Sequence, residues 1–278
     1  MAIARKGQKG ATLTAIRSPG RDFVQSLERG LAVIKCLGAE PRQSLAHIAK
    51  STGITRAAAR RFLITLEQLG YVARSGADFY LLPRTLELGY GYLSTQSLPQ
   101  IVQPHLESLA QDLNETSSVT VFDRQRILYI ARVTTNRLVG STLAVGSTLP
   151  AYCTGSGRVL LGALPEQQLA DYLRATKLQR YTPQTIVSRA ALLKELQKAA
   201  LQGWYLSDEE IDEGVRSLAM PLHDANGNVI AAINISCYAG RVPTDTLIQT
   251  YLPRIRKAAQ AIDRELKACR HLSAEVRT

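Results

Sequence analysis

Leu45–Ile64, LAHIAKSTGITRAAARRFLI, is the stretch on which the reading of this chain turns. Its pattern predicts two short helices joined by a tight turn, the helix-turn-helix unit whose second helix enters the major groove of DNA. Ile48 and Ala49 lie on the inner face of the first helix. Gly53 follows Ala49 by four residues, where the chain must turn sharply and a Cβ is often in the way. Ile54 fills the turn, and Thr55 is placed to cap the second helix by accepting from its unpaired first-turn N–H groups. Ala59, Phe62, Leu63 and Leu66 continue the buried face, while Arg56, Arg60 and Arg61 take the opposite one. Forked guanidinium donors suit guanine edges and phosphates. The window alone also fits an ordinary helical hairpin with a solvated basic face, and its flanks decide between the two.

Upstream, Ser26–Leu37 (SLERGLAVIKCL) predicts an amphipathic helix. Leu27, Leu31, Ile34 and Leu37 make its apolar stripe, Ser26 its N-cap and Gly38 its stop. Downstream, Gly70 ends the second helix of the pair. Tyr71–Arg74 and Phe79–Leu82 then read as short strands joined by a turn over Ser75–Asp78. A helix, a helix-turn-helix and a hairpin make a winged helix-turn-helix over residues 22–84, with Arg74 and Ser75 at the wing tip, suited to backbone or minor-groove contact. The expected DNA-facing set is Ser44, Thr55, Arg56, Ala57, Arg60, Arg61, Arg74 and Ser75.

Charge follows the same division. Residues 1–99 carry 14 Lys and Arg against 6 Asp and Glu, whereas the remaining 179 residues carry 20 against 17. A basic domain joined to a near-neutral one is the footprint of a nucleic-acid binder. Residues 1–21, with Arg5, Lys6, Lys9, Arg17 and Arg21 and few large apolar groups, read as a basic flexible tail, either following a groove or simply solvated.

Length and composition narrow the class. A chain of 278 residues has room for about two domains. No apolar run approaches the ~20 residues needed to span a bilayer, and the N-terminus lacks a signal-peptide core. The expectation is a cytoplasmic protein without membrane association. Cys36, Cys153, Cys237 and Cys269 form no CxxC pair and read as reduced thiols. His47, His105, His223 and His271 do not cluster, so neither a metal nor a cofactor is expected.

Leu86–Ser94 (LELGYGYLS) predicts a linker helix within residues 85–98, weakened by Gly89 and Gly91 and broken at Leu98-Pro99. It could pair two protomers or act as a spacer. A second domain over 99–272 opens with a helix at Ile101–Leu113. The period then changes to strands: Ser118–Phe122, a turn at Asp123–Gln125, Arg126–Val133 and Leu138–Leu143. Pro150–Leu161 reads as a loop feeding a helix with Thr154 near its cap, and Leu192–Gln202 as a helix. Gly214–Leu222 and Val229–Cys237 pair around Asp224–Gly227, and Thr250–Cys269 closes with a long amphipathic helix. Strands flanked by helices on both sides make an α+β sheet domain.

Thr154-Gly155-Ser156-Gly157 is the candidate binding feature of this domain. Glycines at a helix start leave N–H groups open where the dipole favours an anion, and a carboxylate fits. The same glycines could simply pack the helix on a sheet. Ser156 is not in a GxSxG turn and has no local base, so no catalytic residue is assigned and an enzyme is not expected. Ser217, and Asn234 with Ser236 two residues on, put polar groups on one face of otherwise apolar strands, lining either a pocket or a solvated surface.

With SLERGLAVI, the helix-turn-helix stretch, LPAYCTGSGRVLL and EEIDEGVRSLAMPLHDANGNVIAAINIS quoted together, residues 22–270 resemble the IclR family of bacterial transcription regulators. LPAYCTGSGR, with RYTPQTIVS further on, is most similar to the branch controlling aromatic-acid catabolism, including the protocatechuate, 4-hydroxybenzoate and β-ketoadipate pathway regulators. The resemblance implies a GAF-like effector-binding second domain and a homodimer or tetramer on double-stranded DNA at a pseudo-palindromic operator, with RNA polymerase as a further partner. It implies a small organic acid effector, aromatic or dicarboxylic. Its ligand positions fall on Leu138, Ser141, Leu149, Gly155, Ser156, Val215, Ser217, Asn234 and Ser236. Tyr152 could close over a ring or serve packing, and Arg137 precedes a pocket strand. Asn234 departs from the serine of small-acid sensors, which disfavours glyoxylate and pyruvate. The branch implies an activator; a repressor answering a different small acid is the alternative mode.

Overall fold

A computed structural model describes residues 22–90, 97–135 and 143–268, which fall into two compact units, one on each side of residues 95–96. In the N-terminal unit, helices α1 (Gln25–Leu37), α2 (Leu45–Thr52) and α3 (Arg56–Gln68) pack with strands β1 (Gln43–Ser44), β2 (Val72–Ser75) and β3 (Asp78–Leu81), in sheet order β1-β3-β2. Val33, Leu37, Ile48, Leu63, Leu66, Val72 and Phe79 make the core. Ala59, also fully buried, lets α3 sit close.

Several local expectations are corrected here. Ser26 is not a cap: α1 starts one residue earlier, with Val24 at the cap position and no side-chain cap. Its stripe is only half used, since Leu27 and Leu31 are 63% and 46% exposed while Val33 and Leu37 are buried. Periodicity marks an apolar face, but only the C-terminal half of α1 meets the rest of the unit. The hairpin is shifted by one residue: Ser75 pairs with Asp78, leaving the two-residue turn Gly76-Ala77, with φ +63° at Gly76. Glycine at the first position of such a turn matches the twist of the flanking strands. Strand β1 was not foreseen; two residues carry no periodicity to read.

Residues 83–86 form a 3-10 turn and 87–90 are helical; the rest of the expected linker helix, through residue 96, lies outside the described residues. Helix α4 (Ser97–Leu113) includes Leu98-Pro99 where a break was expected. Proline is tolerated in a first helical turn because no intrahelical N–H bond is lost there.

The C-terminal unit is built on an antiparallel sheet of β4 (Thr116–Asp123), β5 (Arg126–Val133), β6 (Thr148–Pro150), β7 (Tyr205–Asp208), β8 (Val215–His223) and β9 (Val229–Tyr238), in order β6-β5-β4-β9-β8-β7. Leu138–Leu143, expected as a strand, falls mostly outside the described residues, and Leu143 itself is not in a strand. One face of the sheet, with Val119, Leu218, Met220, Ile233 and Ile235, packs against α4 and the closing helix α8 (Leu252–Ala268). The other carries Ala219 and Ala232 beneath α5 (Gly155–Gly162) and α7 (Arg189–Gln202), with α6 (Glu166–Ala175) alongside. Small residues let α5 approach that face closely, since a Cβ on Gly155 would lie 2.9 Å from the Ser217 carbonyl oxygen; a Cβ on Gly157 would lie 2.0 Å from the carbonyl of Ala151 in the 3-10 turn that leads into α5. Strands β6 and β7 and helix α6 were not anticipated.

Candidate DNA interface and polar sheet face

In the N-terminal unit the expected Thr55 cap is formed, and Ser44 supplies a second cap that was not anticipated. Ser44 accepts from the His47 N–H at 3.3 Å and opens α2. Gly53 takes φ +67° at the end of α2 with open space around a Cβ, so the backbone conformation, not crowding, calls for glycine. Thr55 accepts from the Ala58 N–H at 3.2 Å and opens α3. From α3, Arg56, Ala57, Arg60 and Arg61 are exposed, and no acidic side chain among the described residues pairs with the three arginines. Arg56 and Arg60 are four apart and so lie in one row along the helix.

At the hairpin, Arg74 donates to the Gly76 carbonyl at 2.7 Å and lies 5.9 Å from the Phe79 ring centre. Arg42, absent from the sequence-based set, stands beside it, 5.6 Å over the Tyr80 ring and 3.5 Å from the Ser75 hydroxyl. Only the antiparallel return of β3 between β1 and β2 brings these arginines to one hairpin.

In the C-terminal unit, strand register aligns the polar residues. Ser217 pairs with Ser236, and Ser236 with Thr116; Ala219 pairs with Asn234, Asn234 with Ser118, and Ser118 with Arg132. Paired residues share a face, so these strands place one polar band on the α5 side. The Asn234 amide donates to the hydroxyls of Ser217 (3.3 Å) and Ser236 (3.1 Å). Its carbonyl oxygen Oδ1 is buried and finds no donor among the described residues, and the Thr120 hydroxyl likewise has no partner there. Arg132 donates to the Ser118 hydroxyl at 3.1 Å and lies 5.4 Å over the Tyr129 ring. Burial pushes the Arg132 pKa below the ordinary guanidinium value and raises that of Tyr129.

The α5 N-terminus meets this band. Thr154 caps α5 by accepting from the Gly157 N–H at 3.1 Å, and Gly155 rests against Ser217. Gly155, Ser156, Ser217, Asn234 and Ser236 are therefore brought together. Leu149 lies on β6 and Val215 on β8, four strands apart in the sheet, and both are half-buried. Leu138, Ser141 and Arg137 lie outside the described residues. Tyr152 spends its hydroxyl on the backbone, donating to the Gln179 carbonyl (2.6 Å) and accepting from the Gln179 N–H (2.8 Å), so it ties down the 177–181 segment. Burial raises its pKa to about 12. Sequence reading missed Arg132, Ser118 and Thr120. The signal was there, in the alternation Thr116, Ser118, Thr120 and in a lone arginine inside RILYIARV, but it acquires a side only when β4 is seated beside β9.

Helix α5 also carries Arg158, fully buried. It donates to the Tyr152 carbonyl at 2.9 Å, and its guanidinium pairs with Glu210 and with the Tyr205 hydroxyl. Thr185 donates to the Glu210 carbonyl at 2.6 Å, so this ion pair pins the 182–185 turn and the Glu210 segment to α5.

Residues 26–76 match the model of the IclR helix-turn-helix domain, and residues 90–264 that of the bacterial transcriptional regulator IclR C-terminal domain. The chain belongs to the IclR family of transcriptional regulators. Its helix-turn-helix is thus a DNA-binding one, and its sheet unit is the C-terminal domain of that family. Among its relatives, the chain is 40% identical over 247 residues to the Pca regulon regulatory protein of Pseudomonas putida, covering 88% of this chain and 85% of that one. It is 32% identical over 247 residues to the p-hydroxybenzoate hydroxylase transcriptional activator of Acinetobacter baylyi, covering 87% and 91%. The inducer-binding domain of the PobR transcription factor from Acinetobacter, a double mutant solved with 3-hydroxybenzoic acid, superposes with a TM-score of 0.57 at 31% identity, covering 59% of this chain and 97% of that domain. As an IclR-family member the chain is a transcription regulator; among the described residues no helix is long and apolar enough to cross a membrane.

Proposed function

We propose that this regulator senses a hydroxylated carboxylic acid, aromatic in character, and activates genes for aromatic-acid catabolism. The observation that carries the reading is the buried Asn234 Oδ1, an acceptor with no donor among the described residues, in the same polar band as Arg132. An orphan buried acceptor costs free energy until a donor arrives, and a ligand hydroxyl is such a donor. Arg132 and the N–H groups of Gly155 and Ser156 offer the complementary charge for a carboxylate. Ser217 and Ser236 orient the Asn234 amide. Leu138, Ser141, Leu149 and Val215 belong to the ligand positions that the family resemblance implies. The similarity to a Pca regulon regulator and to a p-hydroxybenzoate hydroxylase activator supports the ligand class and the activating mode.

On the DNA side, two copies place α3 of each in successive major grooves of a pseudo-palindromic operator. Arg56, Arg60 and Arg61 read bases and phosphates, while Arg74, Ser75, Ser44 and Arg42 hold the backbone. Effector acts by favouring one arrangement of the two copies, which it can do only by its differential affinity for the two.

A thermal-shift panel with protocatechuate, 4-hydroxybenzoate, benzoate, β-ketoadipate, glyoxylate and pyruvate tests the ligand class. A ligand at ~100 times its Kd adds ~2.7 kcal/mol of stability. The expected hits are the hydroxylated aromatic acids, and stabilisation by glyoxylate or pyruvate alone would overturn the reading. Ser236→Ala is expected to leave operator affinity intact and blunt the response to effector; an unchanged dose–response curve removes Ser236 from the site. Transcription in vitro then separates the modes, a rise over the protein-free level marking an activator and a fall a repressor.

A further inference from the structure

Further along β8 from the polar band, the sheet has a gap. Strand β7 pairs with β8 only over Arg216–Ala219, so Met220–His223 has no strand on that side. Pro221 there lacks an N–H that would otherwise need a partner. Around the gap lies a cavity of about 430 Å³, within the range of small-molecule sites. Its walls are the last turns of α5 and α7, with Val159, Gly162 and Ala199 among their lining residues. These helices sit close because a Cβ on Gly162 would come 2.9 Å from the Leu196 carbonyl oxygen. Small side chains thus leave an apolar slot.

The opposite wall is α8, which turns Arg256, Gln260 and Asp263 into the cavity. Their spacing of four and then three residues stacks them in one row. Asp263 is already engaged: one carboxylate oxygen accepts from the His223 backbone N–H and the other from its ring Nδ1, both at 2.8 Å. With Nδ1 engaged by the carboxylate, Nε2 is the ring nitrogen of His223 left to meet a ligand. Arg256 has no partner among the described residues. The cavity is thus lined by a cation, Arg256, and by an imidazole fixed by the carboxylate of Asp263, a residue seven positions or about 10 Å further along the α8 backbone. The titratable groups facing it are Arg256, His223 and Asp263.

We propose that this cavity is a second small-molecule site, separate from the polar band, for a one-ring carboxylic acid bearing a hydroxyl. Arg256 takes the carboxylate, Gln260 bridges, the apolar slot takes the ring, and His223 Nε2 meets the hydroxyl. The two sites bracket α5, one at its N-terminus against Ser217 and the other at its last turn.

The chain carries a built-in reporter. It has two methionines, Met1 and Met220, and Met220 lines the cavity. Full-length protein with ¹³C-methyl methionine, titrated with 4-hydroxybenzoate, is expected to show a saturable displacement of the Met220 resonance. In Arg256→Ala, an exposed substitution, the free resonance stays in place and the midpoint rises about tenfold or more. In Asn234→Ala the Met220 displacement persists, and benzoate, without the hydroxyl, binds more weakly than 4-hydroxybenzoate. The proposal fails if Met220 does not move, if Arg256→Ala leaves the midpoint unchanged, or if Asn234→Ala abolishes the displacement, which would trace it to the polar band.

Discussion

Helices α3 and α5 start with the same device and serve opposite surroundings. Each opens on a threonine whose hydroxyl accepts from the N–H three residues on, Thr55 from Ala58 and Thr154 from Gly157. Each has small residues in its first turn and an arginine four or five residues after the cap. In α3 Arg56 and Ala57 of the first turn are exposed, and so is Arg60. In α5 the first seven residues are buried and Arg158 is closed in with Glu210. The comparison teaches that the cap marks only where a helix begins. Whether its arginine waits for an outside partner or is consumed by an inside one depends on what the rest of the chain stacks over it.

The sharpest way to break this contrast is Arg158→Ala. It strands a buried carboxylate, and the expected loss is about 3–5 kcal/mol in the denaturant transition of the C-terminal unit; a loss below about 1 kcal/mol would mean Glu210 is not held by Arg158. Next come the glycines of the two turns. Gly157→Ala drives a Cβ into the Ala151 carbonyl and is expected to cost about 3 kcal/mol. Gly53→Ala meets no atom and pays only for a left-handed backbone, about 1 kcal/mol. Equal costs in urea titrations would erase the distinction between crowding and conformation. Arg60→Ala is expected to leave stability unchanged and weaken operator binding by about 1–3 kcal/mol, with specificity relaxed. Fluorescence anisotropy on operator and random duplexes checks it, and equal losses on both would make Arg60 a phosphate contact. The smallest effect is Thr55→Ala, about 1 kcal/mol for a lost cap, read as a lower melting temperature of the N-terminal unit and absent if water replaces the hydroxyl.

Much of the fold was legible where a rule acts over a few residues. Thr55, Gly53 and Thr154 declare their roles because capping and left-handed turns involve neighbours only. The strand pair Val215–His223 and Val229–Tyr238 was legible from alternation and from Asp224–Gly227 between them. Ser26 and the Leu27–Leu31 stripe misled because the pattern shows a helix's apolar face without showing how far along the helix the core extends. The hairpin slipped by one residue because a two-residue and a four-residue turn look alike in sequence. Tyr152 was legible as an aromatic near the site, yet its hydroxyl belongs to the Gln179 backbone. Arg132 went unnoticed because its side of the sheet depends on the pairing of β5 with β4 and β4 with β9.

By itself, the sequence determined the two-domain plan, the helix-turn-helix with its capped second helix, the basic charge of the first third and the family of the whole chain. The first three rest on periodicity, capping and charge, each set within a turn or two of chain, and the family on the resemblance of whole motifs such as LPAYCTGSGRVLL. Only the tertiary structure decided which arginines are used up and which stand ready. It also decided that Ser217, Asn234, Ser236, Ser118 and Arg132 share one band, and that a cavity opens where β7 stops short of His223. These depend on strand register and helix-to-sheet distance, which are fixed by contacts between residues up to a hundred or more positions apart, and no local pattern encodes them.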